Sequence, residues 1–125
     1  MRRTLTAIAC LAAVALVVGC GESDQEQARE VAQDYVDASN GDDFDRICEL
    51  YSDSFKEQLA TPDCPAFVQE QSSGADSEIE LVEVRVNGDR ATADLDSVSE
   101  QEGPARIGLQ LERQDDDEWR ISGFQ

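Results

Sequence analysis

The sequence predicts an α+β domain in which N-terminal helices pack on one face of a four-stranded antiparallel sheet. Three observations predict it. Before residue 72, apolar residues recur at three- and four-residue intervals, the helical period. After residue 79 they alternate with polar residues, the strand period. Two turn signals, Asn87-Gly88 and the acidic run from Gln114 to Glu118, divide the alternating half into strands that can return as antiparallel neighbours. A chain of 125 residues has room for one such domain, and no internal repeat is visible.

The elements follow in order. Ser23 with Glu26 three residues later forms a capping box. Ala28, Val31, Ala32, Tyr35 and Val36 then share one helical face, and Asn40-Gly41 stops this helix. A second helix, capped by Asp42 or Asp43, buries Phe44, Ile47, Cys48, Tyr51, Phe55 and Leu59. Asp42, Asp43 and Asp45 stand in its first turn, where the helix dipole favours negative charge. Thr61-Pro62-Asp63 turns the chain into a short third helix that starts at Cys64 or Pro65, ends at Gln71 and buries Phe67 and Val68.

The first strand holds Ile79, Leu81, Val82, Val84 and Val86. Its apolar parity changes between Leu81 and Val82, which predicts a bulge or strong bend. Ala91, Ala93 and Leu95 alternate in the second strand, and a polar loop follows from Ser99 to Pro104. Ala105, Ile107, Leu109 and Leu111 alternate in the third. Trp119 and Ile121 begin the fourth, which ends near Phe124.

The first nineteen residues are of another kind. Arg2 and Arg3 precede an apolar run from Leu5 to Val18, interrupted at Thr6. As a helix this run is about 21 Å long, short of the ~30 Å bilayer core. A charged start, a short apolar middle and a small residue at the end mark a secretory signal peptide. The run closes on Leu16-Val17-Val18-Gly19-Cys20, which resembles the lipobox of bacterial lipoprotein precursors. That resemblance implies a diacylglyceryl thioether on Cys20 and cleavage before it; the alternative is an ordinary cleaved signal with a free cysteine. The expected organisation is therefore a leader at 1–19, a lipidated tether at 20–25 and the α+β domain at 26–125. The implied partner is a lipid membrane, held through Cys20 on its extracytoplasmic face, where two acyl chains anchor a protein stably.

Cys10 falls inside the leader and is read as a small apolar filler. Cys48 and Cys64 remain, an even pair expected to form a disulfide in an oxidising compartment. In the chain-entropy model a loop of that length is worth about 3 kcal/mol. Two cysteines without histidine make a poor zinc site, and no CxxC redox motif is present.

The net charge of −18, from 28 acidic and 10 basic residues with no histidine, excludes whole function classes. Nucleic-acid binding requires a basic surface, which this chain lacks. Histidine bases and histidine metal ligands are excluded within the chain. All the acids lie beyond the leader, so the exported part is more acidic than the average implies. Such charge keeps a tethered domain soluble and holds it off an anionic membrane.

Ala32, Tyr35 and Val36, then Gly41-Asp42, Ile47-Cys48 with Leu50, Cys64, Val84-x-Val86-x-Gly88-Asp89-x-Ala91 and Trp119-Arg120-Ile121 stand in an order that resembles small exported proteins of the NTF2-like (cystatin-like) superfamily. The resemblance spans residues 26–125. It implies a curved sheet wrapped over the long first helix, with a cone-shaped pocket between them.

Within that frame Tyr35, Tyr51 and Trp119 are candidate ligand-binding residues, each with core packing as its alternative. An isomerase-type enzyme of this superfamily would need a carboxylate in an apolar cavity near a donor such as tyrosine. Asp94 and Asp96 are the available carboxylates, but Asp94 alternates with Ala93 and Leu95 and should face away from the apolar side. The run Asp115 to Glu118 lacks the spaced ligands and turn glycine of a calcium loop and reads as a solvated turn. Asp42, Asp43 and Asp45 read as caps. No catalytic residue, metal site or cofactor is expected. The sequence thus leads to a membrane-anchored, non-catalytic module for a small apolar ligand, with a protein-interaction or homodimer domain as the alternative.

Overall fold

Ser23 opens the first helix as its capping pattern requires: its Oγ accepts the Glu26 N–H at 3.3 Å. The computed structural model describes residues 23–72, 77–99 and 103–125, so the leader and Cys20 lie outside the described residues. Helix α1 runs Asp24–Asn40, α2 Phe44–Leu50, α3 Asp53–Gln58 and α4 Cys64–Ser72. Strands β1 (Ser77–Asn87), β2 (Arg90–Ser99), β3 (Gly103–Arg113) and β4 (Trp119–Phe124) form one antiparallel sheet in sequence order. The helices-then-strands pattern predicted from periodicity is the architecture observed, and the sheet curves over α1.

The bulge predicted in β1 is present. The β1–β2 register slips between Leu81 and Glu83, leaving Val82 as the extra residue, 44% exposed. That slip keeps Ile79 and Leu81 before it, and Val84 and Val86 after it, against the core. A second slip, between Gln110 and Leu111, leaves Ser122 unpaired in β4. It turns Phe124 to the α1 side, opposite Leu109, where unbroken alternation from Trp119 and Ile121 would have put it on the other face. The Asn87-Gly88 hairpin forms with its two-residue loop at Gly88-Asp89, between the paired Asn87 and Arg90. Gly88 takes φ +65° there, the first-position glycine of a II′-type turn.

One helix differs from the periodic reading. The expected second helix over Phe44 to Leu59 is two helices, broken at Tyr51-Ser52. Tyr51 is extended (φ −76°, ψ 142°) and bridges Ile121, while the Ser52 N–H donates to the Ile121 carbonyl at 2.9 Å. Ser52 Oγ then accepts the Phe55 N–H at 3.2 Å and caps α3. Pairing with the β4 edge thus outcompetes continued helix, and the serine restarts it. α1 ends at Asn40-Gly41, as the sequence predicts, and Asp42 adopts the left-handed conformation, with φ +55°. The Asp43 N–H reaches back to the Ala38 carbonyl at 2.8 Å and the Asp42 N–H to Ser39, a Schellman closure.

The core lies between α1 and the sheet. Ala28 and Ala32 are fully buried, and their small side chains let the helix approach. Leu95, Leu109, Leu111 and Ile121 fill the sheet side. Cys48 and Cys64 form the expected disulfide, with Cα atoms 6.1 Å apart, joining α2 to α4. The convex face is polar: Arg85 pairs with Asp94 and Arg106 with Asp96, each at 2.9 Å. The bulge and glutamates of β1 and the Tyr51-Ser52 strap on β4 guard the two sheet edges.

Candidate functional site

The α1–sheet interface is filled at one end and open at the other, because β4 is short. β3 begins at Gly103, but the β3–β4 pairing extends only from Arg113 back to Leu109, where Phe124 ends β4. Beyond Phe124 no β4 residue among the described residues pairs with β3 before Gly108, and Ile107 stays half-buried. A cavity of about 470 Å³ occupies this end. Tyr35 and Ser39 of α1, Ile79 of β1, Ile107 of β3 and Gln71 and Ser72 of α4 line it. Asn40, Asp42, Ser77 and Glu78 form its rim. The volume is within the range usual for small-molecule sites.

Backbone bonds hold the rim. The Asn40 side chain brackets Ile79 of β1, accepting its N–H and donating to its carbonyl, both at 2.9 Å. This fixes the end of α1 to the start of β1. Ser72 Oγ donates to the Val68 carbonyl at 2.8 Å and closes the last turn of α4. Ser39 Oγ, by contrast, is buried beside the Tyr35 phenol, whose pKa burial raises and the hydrogen bond with Ser39 partly lowers. The Tyr35 side chain lines the cavity, and the Ser39 Oγ is buried beside it.

Tyr35 also begins an aromatic cluster. Its ring is 5.9 Å from Phe124, which is 6.2 Å from Tyr51 and 5.8 Å from Phe55. Tyr51 and Phe55 meet edge-to-face at 4.9 Å. Burial pushes the Tyr51 phenol well above its ordinary range, with Tyr35 adding to the effect. Of these rings only Tyr35 lines the cavity, and Phe124 is 42% exposed.

Of the three sequence candidates, Tyr35 lines the cavity, Tyr51 lies in the cluster behind it, and Trp119 lies elsewhere. Trp119 is 2% exposed, at the start of β4. Its indole Nε1 has no partner among the described residues. Tyr51 and Trp119 touch a separate, open cleft of about 680 Å³ between the helices and the β3–β4 turn. Charged pairs line that cleft: Arg46 with Asp34 at 2.8 Å and with Glu49 at 3.0 Å, Lys56 with Asp53 at 3.4 Å, and Arg120 with Glu118 at 2.6 Å. Asp94 and Asp96 lie on the convex face with their arginines, away from the cavity. No group of three or more metal-ligating side chains occurs among the described residues.

Ser39, Asn40 and Ile107 were not singled out in the sequence. Ser39 and Asn40 read only as the end of a helix, and Ile107 as one more alternating core residue. Phe124 was legible as the strand end, but its orientation depends on the Ser122 bulge, which no parity break in the sequence announces.

No family model matches the chain, and no curated protein matches it. Solved structures do. A SEC-C motif containing protein from Rhodopseudomonas palustris is 14% identical, with a TM-score of 0.57, over 86% of this chain and 94% of that one. A ketosteroid-isomerase-type protein from Kribbella flavida is 18% identical, with a TM-score of 0.55, over 82% and 77%. A de novo designed protein with a curved β-sheet is 17% identical, with a TM-score of 0.52, over 78% and 95%. At these identities the likeness concerns the fold, which is of the NTF2-like type.

Proposed function

We propose that this chain is a lipid-anchored extracytoplasmic protein whose NTF2-like domain binds a small molecule without transforming it. The observation that carries the binding reading is the cavity at the open end of the α1–sheet interface, lined by Tyr35 and Ser39 together with the apolar Ile79 and Ile107. Polar side chains, Ser39, Asn40, Gln71 and Ser72, line it beside Ile79 and Ile107. The ligand class is therefore a small uncharged molecule with an apolar body and a hydrogen-bonding group. The non-catalytic part is supported by where the carboxylates lie. No carboxylate is buried among the described residues, and the cavity's own acids, Asp42 and Glu78, are exposed on its rim. An acid or base for isomerase chemistry needs a desolvated carboxylate near the reacting atom.

The anchor rests on Arg2-Arg3, the apolar run and the Leu16-to-Cys20 lipobox resemblance. No described helix is long and apolar enough to cross a membrane. Assembly through the convex face has less support, because that face carries ion pairs, with Val98 and Val82 as isolated exposed apolar side chains.

Nile red, an uncharged environment-sensitive dye, tests the cavity. Its emission should rise with the wild-type protein and lose most of that rise in Ile107→Trp, which fills the cavity. Arg85→Ala, on the convex face, should behave as wild type. Equal enhancement in all three would reject the cavity as the binding site. Cys20→Ala should move the protein from the membrane fraction to the soluble fraction; retention in the membrane would reject the anchor.

A further inference from the structure

We infer that the cavity opens away from the bilayer, so that its ligand comes from the aqueous phase and not from the membrane that holds the protein. This rests on the lipid-anchor reading above and adds orientation and ligand source to it. From Cys20 to Ser23 there are three residue steps, which span at most about 10 Å in any conformation. Ser23 is not free to swing, because it is the N-cap of α1 and the first turn is tied to the sheet. Asp24 pairs with Arg113 at 3.1 Å, and the Gln25 amide donates to the Val84 carbonyl at 2.6 Å. Arg113 also holds Asp89 of the first hairpin turn. The tethered pole of the domain is thus the start of α1 together with the Gly88-Asp89 and Gln114–Glu118 turns.

The cavity is at the other pole. Asn40, at the last turn of α1, sits on its rim with Ile79 and Glu78. The seventeen residues of α1 separate the poles, a distance of about 25 Å at 1.5 Å per residue. A tether of about 10 Å cannot carry the far pole round to the membrane. The tethered pole therefore stays at the bilayer, with the mouth outward.

The test uses the full acylated protein in phosphatidylethanolamine–phosphatidylglycerol vesicles that carry a rhodamine headgroup acceptor. Asp116→Cys and Glu78→Cys, labelled with the same donor, report the two poles. The disulfide and the Cys20 thioether leave the introduced cysteine as the reactive thiol. Energy transfer should be roughly twofold or more higher from position 116 than from 78, given the ~25 Å between poles. Equal or reversed transfer, with the protein still sedimenting with vesicles, would overturn the orientation while leaving the anchor intact. Failure to sediment would overturn the anchor reading and the orientation with it. Inserting about 15 Gly/Ser residues before Ser23 gives a tether of roughly 20 Å r.m.s. and should erase the difference; an unchanged difference would overturn the tether as its cause.

Discussion

The two ends of the α1–sheet interface are built from the same helix and the same strands, yet one is packed solid and the other holds a cavity. At the closed end Ala28 and Ala32 meet Leu95, Leu109, Leu111 and Ile121, all at or near full burial. At the open end Tyr35 and Ser39 face Ile79 and Ile107, which stay half-buried. The divide falls where β4 stops, at Phe124. One strand that ends early, after a bulge that turns its last aromatic inward, is enough to make a binding concavity from a continuous core. Stability and site are thereby separated along a single strand: Leu109 and Ile107 are two residues apart on the same face of β3.

The largest expected effect is at the closed end. Leu109→Ala should cost about 2–5 kcal/mol, because its neighbours cannot collapse into the space. Ile107→Ala should cost no more than about 1–2 kcal/mol, since the side chain already borders a cavity. Urea unfolding of both variants checks this. Equal losses would mean that the open end is packed as tightly as the closed one.

Next comes the wall of the open end. Replacing Cys48 and Cys64 together by Ala should cost about 3 kcal/mol. Because the disulfide holds α4, which supplies Gln71 and Ser72 to the cavity, this variant should also bind Nile red less well than Leu109→Ala does at the same fraction folded. Dye titration in mild conditions, alongside unfolding, separates the two. Ser52→Ala removes the cap of α3 at the closed end and should cost about 1–2 kcal/mol, with no change in dye binding.

These contrasts were partly legible in the sequence. The Ser23–Glu26 cap, the bulge after Leu81 and the alternation of β2 and β3 are written in residue spacing, because each follows from local chemistry or from a parity that burial must obey. The break at Tyr51-Ser52 is not, because Phe44 to Leu59 keeps helical spacing throughout. The chain leaves helix there only because the Ile121 backbone, seventy residues away in sequence, offers a partner. The Asn40–Ile79 bracket, the burial of Trp119 far from the mouth and the extent of the cavity are likewise products of long-range pairing. A single sequence with no alternate spacing cannot encode them locally.

A smaller effect, of opposite sign, belongs to the rim. Asp42 holds φ +55° without the freedom of glycine. Asp42→Gly should stabilise the domain by roughly 0.5–1 kcal/mol, the strain relieved at a left-handed position less the entropy glycine adds to the unfolded chain. Gly41→Ala, beside it, should destabilise, since a Cβ there meets the Asp37 carbonyl at 3.2 Å. If both changes destabilised, the left-handed closure of α1 would be assigned to the wrong residue.

At neutral pH the smallest effect is that of the two phenols, and it grows only in base. Burial raises the Tyr35 and Tyr51 pKa values above the ordinary 10.0. In the unfolded chain both phenols ionise near pH 10, while in the folded domain they stay neutral to higher pH. Between those limits the unfolded state binds fewer protons than the folded one, so stability falls as pH rises. The contribution is whole below pH 10 and is lost progressively above it. Tyr51→Phe should flatten this slope at the cluster, and Tyr35→Phe at the cavity wall. The two should respond differently to a cavity occupant. Nile red in the cavity excludes water from the Tyr35 phenol and should steepen the alkaline loss in Tyr51→Phe, where Tyr35 alone remains. It should leave the loss unchanged in Tyr35→Phe, where the remaining phenol does not line the cavity. Thermal unfolding from pH 9 to 11, with and without dye, reads this directly. A dye effect of equal size in both variants would erase the boundary that Phe124 draws between the packed end and the open one.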